Sequence, residues 1–483
     1  MNITKSLLSS SSVLYVLIRY CTYSIQFINS FLLAKYLGVY NFGIYGFILL
    51  VLQYLSYLNF GISDALNTEY SLNSNKKDLS KIIWNVSWSM NIIILSFISL
   101  ISFWILYNHS DIFIKYKFAS YGYYVIILGI IDNINKLYSI FYRLHGKLFK
   151  LNIQQLLPNL LVFIGIVIMK SNYDIKYIIV TMIVSNLIAL IIYNIDLPEK
   201  PCFYLNSYIS KKLFIRGINL LIYSLSFSFI TVIANTLVSK FYNVSHLGIY
   251  SYANTLCNAI VMAGGAFLFV FYPKILNKLG TYSINETSSF LNKMKNTYVI
   301  CSDLLIVLSI LFIPIIPQFI IGYNGIIDVF CILMSAKMIT NSIAGYSTLL
   351  IAKSQENRLT FYGFISILII LLGGYWSSKM NLSINVIALW VFISSFVYTF
   401  LIMRYGYILL NNKVTIKSII FEILDTNRLY IISSIFIYSF IYNHLFILYT
   451  GVIIYTILNY KKIRVSIGIS YQIISNKNIL NFK

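Results

Sequence analysis

The residues that could do chemistry in this sequence are charged side chains inside long apolar segments. Three are basic, Arg19, Lys136 and Lys337, and two are acidic, Asp132 and Asp303. An ionisable residue within a membrane-spanning segment is costly, and it commonly marks a substrate path, an ion path or a proton relay. The basic residues therefore indicate a path for a polar substrate. Asp132 and Asp303 are candidates for coupling transport to protons or sodium.

The sequence offers no constellation for metal or covalent chemistry. Its four histidines are scattered singly, and its five cysteines have neither metal-ligand spacing nor a disulfide framework. No G-x-x-x-x-G-K-[ST] phosphate loop occurs in the chain. We therefore expect no catalytic residues, no metal and no cofactor.

Composition indicates that the chain lies in a lipid bilayer. Of its 483 residues, 59% are hydrophobic and only 10% are charged, whereas a soluble protein carries about 25% charged residues. The net charge is +22. In a soluble protein this excess would suggest nucleic acid, but in a membrane protein it reflects anchoring beside anionic headgroups. We expect no nucleic-acid partner.

Apolar runs divide the chain into predicted membrane-spanning helices. A helix that crosses the hydrocarbon layer needs about 20 apolar residues, and counting on that basis gives fourteen spans. The last two are short and could form one re-entrant pair, so twelve to fourteen spans are expected. The spans are 13–33, 43–63, 84–108, 121–141, 153–169, 177–195, 217–238, 248–272, 298–321, 328–351, 360–377, 385–403, 429–443 and 445–460.

The positions of the basic residues predict the orientation of these spans. If both termini are cytoplasmic, 26 of the 36 Lys and Arg residues lie in cytoplasmic segments, 7 lie in outer loops and 3 lie in spans. Cytoplasmic loops carry an excess of Lys and Arg in multi-pass proteins. The split therefore predicts cytoplasmic termini and accounts for most of the positive charge.

A short phrase occurs twice in the chain, 205 residues apart. Residues 35–45 and 240–250 share five identities in eleven positions, and Gly43 corresponds to Gly248. Both copies lie at the outer turn after the first span of a set of six, where a glycine would permit tight entry into the next helix. Self-similarity at a fixed offset is the mark of an internal repeat.

The same offset aligns polar positions within the spans. Gln53 corresponds to Asn258, and Lys136 corresponds to Asn341. Spans 1 and 7 each carry one polar face with helical spacing; these faces are Arg19, Tyr23, Gln26 and Ser30, and Ser224, Ser228, Thr231 and Asn235. Because polar groups are costly in lipid, we expect the two faces to line a hydrated cleft.

These patterns predict an all-α integral membrane protein built from two six-helix bundles. Six crossings return the chain to its starting side, so the second copy has the same orientation as the first, and an axis along the membrane normal relates the two. The expected divisions are an N-terminal bundle over 1–200, a C-terminal bundle over 201–407, and two additional helices with a basic cytoplasmic tail over 408–483. We interpret the last pair as an appendage outside the repeat.

Each charged candidate also has a purely structural explanation. Lys136 lies four residues after Asp132, so these two side chains could neutralise each other on one helix. Arg19 is one turn into span 1 and could extend to the cytoplasmic headgroups. Lys337 lies ten residues into span 10, too deep to reach the headgroups easily, so this explanation suits it less well. Asp303 is near the cytoplasmic start of span 9, where an interfacial position would explain it.

Three motifs give the chain a family resemblance. The segments LGVYNFGIYG at 37–46, LNFGISDAL at 58–66 and FYPKILNKL at 271–279 resemble the polysaccharide-exporter branch of the MATE-like (MOP) superfamily. The chain is most similar to flippases of the Wzx type, which move undecaprenyl-pyrophosphate-linked O-antigen units across the bacterial inner membrane. The resemblance implies a V-shaped cavity that opens alternately to each side without use of ATP.

That resemblance gives the polar residues a specific expected role. A lipid-linked oligosaccharide presents an anionic pyrophosphate and many hydroxyl groups. We expect Arg19, Lys136 and Lys337 to meet the anion, whereas the amide side chains meet hydroxyls; these are Gln26, Asn235, Asn258 and Asn341. Membrane lipids and other polysaccharide-assembly membrane proteins are the other implied partners.

Other functions remain open at the level of sequence. A multidrug exporter or a lipid II flippase would share the superfamily, although drug exporters usually have twelve spans and carry cations. A membrane polymerase or ligase typically has a large catalytic outer loop, and all outer loops here are short. The sugar, the coupling ion and the oligomeric state are not encoded in any motif.

Overall fold

A computed structural model describes the chain over residues 11–73, 76–107, 111–169, 174–195, 197–281, 284–353, 355–411 and 414–475. Within these ranges, side chains are described except at 11–17, 105, 148, 227, 263–278, 280, 281, 284, 285, 293, 467 and 469–475. The motif at 271–279 therefore has a described backbone, and only Leu279 among its side chains is described.

Helices account for nearly all of the described chain. They are α1 (Ser11–Tyr57), α2 (Ile62–Leu72), α3 (Lys77–Tyr107), α4 (Asp111–Lys115), α5 (Gly122–Leu144), α6 (Leu148–Ile168), α7 (Ile175–Ile195), α8 (Ser207–Phe241), α9 (Val244–Thr281), α10 (Ile284–Phe312), α11 (Ile316–Phe319), α12 (Ile326–Thr340), α13 (Tyr346–Ala352), α14 (Glu356–Lys379), α15 (Ile384–Leu409), α16 (Ile416–Leu424), α17 (Thr426–Ile437) and α18 (Leu445–Ser475).

The predicted all-α membrane fold is confirmed. No strand occurs in the described ranges, and the fourteen expected spans fall on helical segments. By length and apolarity, nine helices of the described residues could cross a membrane, or ten if the two parts of α8 form one span. This count is lower than twelve to fourteen partly because α1 contains two expected spans, separated by non-helical backbone at Gly38.

Both copies of the repeated phrase contain a break in the helix. Gly38 has a φ of 66° and interrupts α1, and its counterpart Asn243 lies in the gap between α8 and α9. Asn243 stabilises the start of α9, because its side-chain oxygen accepts the backbone N–H of His246 at 2.8 Å. A glycine and a capping asparagine therefore produce the same interruption at the same place in the repeat.

The glycines that we expected to permit these turns have a different role. Gly43 and Gly248 lie inside helices, so the left-handed backbone falls at Gly38, and the prediction for Gly43 and Gly248 was wrong. A Cβ at Gly43 would come within 2.0 Å of the Val244 carbonyl oxygen, and a Cβ at Gly248 would come within 2.2 Å of the Val39 carbonyl oxygen. These glycines are required by close backbone packing.

The described chain forms two compact units. Among the described residues, the first comprises those within 11–225 and 243–248, and the second comprises those within 226–242 and 249–475. In the first unit, α3 and α5 pack through Trp84 and Phe141, whose rings stack with centroids 3.8 Å apart. In the second unit, α10, α12 and α15 pack together, and the C-terminal pair α17–α18 packs on α10 and α12. The C-terminal pair is therefore built into the second unit.

The expected spans 9 and 10 are interrupted along their length. After α10, Pro314 and Pro317 fall in a 3₁₀ turn and at the start of α11, as expected for residues that lack a backbone donor. After α12, a 3₁₀ turn over Asn341–Ile343 and a left-handed Gly345, with a φ of 88°, separate α12 from α13. The corresponding part of the first copy, within α5, is an uninterrupted helix.

Candidate substrate-path residues

The predicted cations of the first unit differ in their surroundings. Arg19, on α1, is half-buried and close enough to the Tyr193 side chain of α7 for an electrostatic interaction. Lys136, on α5, is exposed, and so is Gln26 on α1. Arg19 is thus partly enclosed by protein, whereas Lys136 and Gln26 are open to the surroundings of the unit.

Asp132 is not neutralised by Lys136. Among the ion pairs of the described residues, none joins Asp132 to Lys136. Asp132 is half-buried, whereas Asn133 and Asn135 beside it are buried and hydrogen-bonded to backbone carbonyls. The structural explanation for Lys136 therefore fails, and Asp132 stays available as a group that could exchange a proton.

Three helices of the second unit bring another set of predicted residues together. Lys337, on α12, is half-buried and interacts electrostatically with Cys257 of α9, which is the neighbour of Asn258. Asn341, one turn after Lys337, lines a small pocket together with Tyr298 and Ser302 of α10 and with residues 260 and 261 of α9. Lys337, Asn258 and Asn341 thus lie on segments that converge in one region.

Asn235, the fourth predicted amide, lies on the part of α8 that belongs to the second unit. It is buried, and its side-chain oxygen has no hydrogen-bond partner among the described residues. A buried carbonyl oxygen without a partner is costly unless water or a ligand reaches it. This oxygen is therefore suited to accept a hydrogen bond from a hydroxyl group.

Asp303 has surroundings that its sequence position did not indicate. It is 1% exposed and pairs with Arg428 of α17, which is 3% exposed. Arg428 Nε donates to Asp303 Oδ2 at 2.6 Å, and Arg428 Nη2 donates to Oδ1 at 3.0 Å. Tyr455 of α18 also donates to Oδ2, at 3.2 Å. Asp303 is thus enclosed by protein, and it holds the C-terminal helices.

Arg428 is the buried residue that the sequence interpretation missed. The predicted orientation places Arg428 in a cytoplasmic segment, directly before span 13, where a basic residue would only set orientation. A second pair that was missed joins Lys295 of α10 to Glu422 of α16, and Tyr407 of α15 also donates to Glu422. The one sequence signal was an acidic residue, Asp303, within apolar span 9, which indicates that a cationic partner is needed. It does not identify that partner, since no short-range pattern links residues over 100 positions apart.

The repeated phrases contact each other reciprocally. Val39 and Gly43 of the first copy correspond to Val244 and Gly248 of the second. Gly43 approaches the Val244 backbone, and Gly248 approaches the Val39 backbone; all four residues belong to the first unit. A contact in which residue i meets j and j meets i is the mark of two-fold symmetry. Around this contact, therefore, residues 39–43 and 244–248 are related by a local pseudo-two-fold axis.

A charged contact holds the start of α8 on α2. The Glu69 carboxylate, 2% exposed, pairs with Lys212 at 2.8 Å and with Arg216 at 2.6 Å. Burial alone would raise the pKa of Glu69, but hydrogen bonds and charge from Lys212 and Arg216 outweigh burial and lower that pKa below 4.5. The backbone of α8 also approaches Gly61, since a Cβ at Gly61 would lie 2.1 Å from the Gly217 oxygen.

Long apolar helices, an internal repeat and ionisable side chains within the spans define a multi-pass membrane protein. The chain belongs to the polysaccharide biosynthesis protein family, whose sequence profile matches residues 8–277. No curated protein sequence matches the chain.

Solved structures with the same fold come from the MOP superfamily. An inward-facing multidrug resistance MATE family transporter has a TM-score of 0.69 and 12% identity, and the match covers 83% of this chain and 98% of that one. The lipid II flippase MurJ, in an inward closed conformation, has a TM-score of 0.68 and 15% identity, and the match covers 95% of this chain and 99% of that one. A Vibrio cholerae MATE transporter, VcmN, has a TM-score of 0.61 and 14% identity, covering 85% and 98%.

Identities this low establish the fold and not the substrate. Family and fold together confirm the predicted membership of the polysaccharide-exporter branch of the MOP superfamily. The predicted domain boundaries, the V-shaped cavity and the roles of the site residues stay predictions.

Proposed function

We propose that this protein is a flippase for undecaprenyl-pyrophosphate-linked oligosaccharide units of a surface polysaccharide, such as O-antigen. It moves them from the cytoplasmic to the periplasmic leaflet of the bacterial inner membrane by alternating access. Both termini are cytoplasmic in this proposal, as the basic residues predict. The protein supplies a path and performs no covalent chemistry.

One combination of findings carries the proposal. The chain belongs to a polysaccharide biosynthesis family, and it has the fold of a lipid II flippase over 95% of its length. Lipid II and the proposed substrate share the features that matter for transport, a polyprenyl tail, a pyrophosphate and a sugar head. The MATE structure leaves 17% of this chain unmatched, and the MurJ structure leaves 5% unmatched. More of this chain is therefore matched by the lipid flippase than by the drug transporter.

The physical task explains the need for charged and amide side chains in the spans. Even one charged side chain at the centre of a bilayer costs about 3 kcal/mol or more, and a pyrophosphate carries more than one charge. Lys337 and Arg19 can offset that cost for the pyrophosphate, and Asn258, Asn341 and the partnerless Asn235 oxygen can replace water around sugar hydroxyls. The polyprenyl tail stays in lipid.

Coupling to a proton or sodium gradient is assigned to Asp132. Asp132 is half-buried and has no ion pair among the described residues, so its charge can change at low structural cost. Asp303, our other candidate, already has a cationic partner. We therefore assign Asp303 to structure, and the reason for that assignment is its bidentate contact with Arg428.

A cellular experiment tests the proposed function. Arg19→Ala, at wild-type membrane levels, should abolish surface polysaccharide and leave lipid-linked units in the cytoplasmic leaflet. Lys35→Ala is a matched control, because Lys35 lies on the same helix, is exposed and belongs to the predicted outer turn. Full surface polysaccharide in the Arg19 variant would remove Arg19 from the path.

The same cells distinguish the two related substrates. If the chain carries lipid II, depletion of the protein stops cell-wall growth and the cells lyse. If it carries repeat units, the cells survive without surface polysaccharide. A multidrug exporter would give neither result, and its loss would instead increase sensitivity to cationic drugs.

A further inference from the structure

The C-terminal helices form the part of the second unit that the internal repeat does not explain. Helices α16, α17 and α18 have no counterpart at an offset of 205 residues, since the repeat ends near residue 407. They are nevertheless joined to the repeat by two ion pairs with opposite polarity. Helix α10 supplies Lys295 and Asp303, and the C-terminal segment supplies Glu422 and Arg428.

Arg428 also reaches the interrupted helix that carries Asn341. Its Nη1 donates to Ser342 Oγ at 2.5 Å and to the Ile423 carbonyl oxygen at 2.9 Å. Ser342 is 3% exposed and follows Asn341 in the 3₁₀ turn between α12 and α13. One buried guanidinium thus binds α10 through Asp303 and the turn through Ser342.

This arrangement exists in only one copy of the repeat. The positions that correspond to Lys295 and Asp303 are Met90 and Ile98, which are apolar. The position that corresponds to Ser342 is Leu137, within the uninterrupted helix α5. The helix is therefore broken in the copy that contacts Arg428 and continuous in the copy that has no such contact.

We propose that Arg428 is a positioning residue for transport. It holds the turn Asn341–Ile343 against α10 and so fixes Asn341 in the substrate path. The C-terminal pair is thereby an obligatory part of the transport machinery and not an appendage. The inference depends on the proposed function only in assigning Asn341 to the substrate path.

The chemistry of the contact supports positioning over simple attachment. A buried ion pair contributes little net stability, and it is retained in some proteins because it specifies one conformation. Both oxygens of Asp303 accept hydrogen bonds, and all three guanidinium nitrogens of Arg428 donate. A planar five-donor group suits this task, because it can fix three partners in one plane.

The test uses the full-length protein reconstituted in vesicles and compares transport with thermal stability in detergent. Ser342→Ala removes the link to the turn and leaves the Asp303–Arg428 pair in place. We expect wild-type melting and transport that is about fivefold slower or more, the lower end of typical coupling between sites. Ser342→Thr keeps the hydroxyl group and should restore transport.

A second variant removes both charges together. In Asp303→Leu/Arg428→Leu no charge is left without a partner, so the protein should melt near the wild-type temperature and still transport slowly. Lys462→Ala is the matched control, because it breaks an exposed pair with Asp425 in the same C-terminal segment. It should change neither quantity.

Wild-type transport by Ser342→Ala, or by the double variant if it folds, would overturn the inference. If the double variant does not fold, Ser342→Ala alone decides. The transport rate of each variant is expressed relative to the rate of the wild-type protein, measured with the substrate that the wild-type protein moves. A wild-type protein that moves lipid II instead therefore contradicts the proposed substrate, and the positioning inference is then tested with lipid II.

Discussion

At the scale of single residues, Lys337 is the predicted cation that lies among segments carrying other predicted site residues. It lies on α12 near Cys257 and Asn258 of α9, one turn before Asn341. If Lys337 binds the pyrophosphate, Lys337→Ala should lower transport about tenfold or more, since a charge-assisted hydrogen bond contributes about 1.5–3 kcal/mol. Lys379→Ala, at the end of α14, is the control. Equal rates in the two variants would exclude Lys337 from the path.

The two acidic residues should respond differently to removal of their charge. Asp132→Asn should make transport independent of pH or sodium and leave melting unchanged, because Asp132 has no ion pair among the described residues. Asp303→Asn leaves the Arg428 charge without its buried partner, so it should destabilise the protein by about 3–5 kcal/mol. Flux measured against pH and sodium, beside melting curves, separates the two roles. Identical ion dependence in Asp132→Asn and the wild type would dismiss Asp132.

Residue identity alone predicted which positions carry charge in the spans, but not what the charges contact. Arg19, Lys136 and Lys337 all lie within predicted spans, yet Lys136 is exposed while Arg19 and Lys337 are half-buried. Arg428 directly precedes an apolar run, as an orienting charge would, and is buried. Its partner Asp303 is 125 residues away, so only the packed structure reveals the pair.

At the scale of helices, the contact between the repeated phrases depends on the absence of side chains. Gly43→Ala would place a Cβ 2.0 Å from the Val244 carbonyl oxygen, and a backbone atom cannot move aside cheaply. Overpacking of this kind costs about 1–3 kcal/mol. We expect lower melting temperatures for Gly43→Ala and Gly248→Ala, in similar amounts because the contacts are reciprocal. Gly468→Ala, which has open space around its Cα, should not lower the melting temperature.

The attachment of α8 to α2 should depend on pH. The pKa of Glu69 is lowered in the folded protein, so its stabilising contribution is present above its ordinary value of 4.5 and is lost as pH falls through the folded pKa. Glu69→Gln should lower stability by about 1 kcal/mol at pH 7, a small effect because Lys212 and Arg216 are partly exposed.

Melting temperatures of the wild type and Glu69→Gln should therefore differ at pH 7 and converge below pH 4.5. Asp64→Asn, on the same helix, serves as the control and should follow the wild type. A difference that stays constant down to acid pH would contradict the role given to the Glu69 carboxylate.

Helices and their breaks were largely predictable, because apolar length and proline or glycine positions are local signals. The helical positions of the expected spans and the interruption near Pro314 both followed from such signals. The role of Gly43 could not be predicted from local signals, because the residue that it contacts, Val244, is distant in sequence. In a sequence, a glycine that permits a turn cannot be distinguished from a glycine that permits a close contact. The break at Asn341–Ile343 also had no clear local signal.

At the scale of the whole molecule, the chain combines a predicted internal repeat with a C-terminal helix pair that lies outside it. The reciprocal contact joins the two repeated phrases, whereas the Asp303–Arg428 pair ties a helix outside the predicted repeat to α10. In the proposed mechanism, the repeat gives a scaffold that opens to either side, and the C-terminal pair makes the second copy different from the first. That asymmetry suits the proposed substrate, whose lipid tail and sugar head need different surroundings.

The most direct test of the central claim is translocation by the purified protein in vesicles. The substrate is a fluorescent undecaprenyl-pyrophosphate-linked oligosaccharide, and the readout is the fraction accessible to a reagent added outside. We predict that the wild-type protein exposes inner-leaflet substrate far faster than vesicles without protein, and that Lys337→Ala does not. Exposure at the protein-free rate, or an unchanged rate in Lys337→Ala, would contradict the claim that charged residues in the spans carry this lipid-linked sugar.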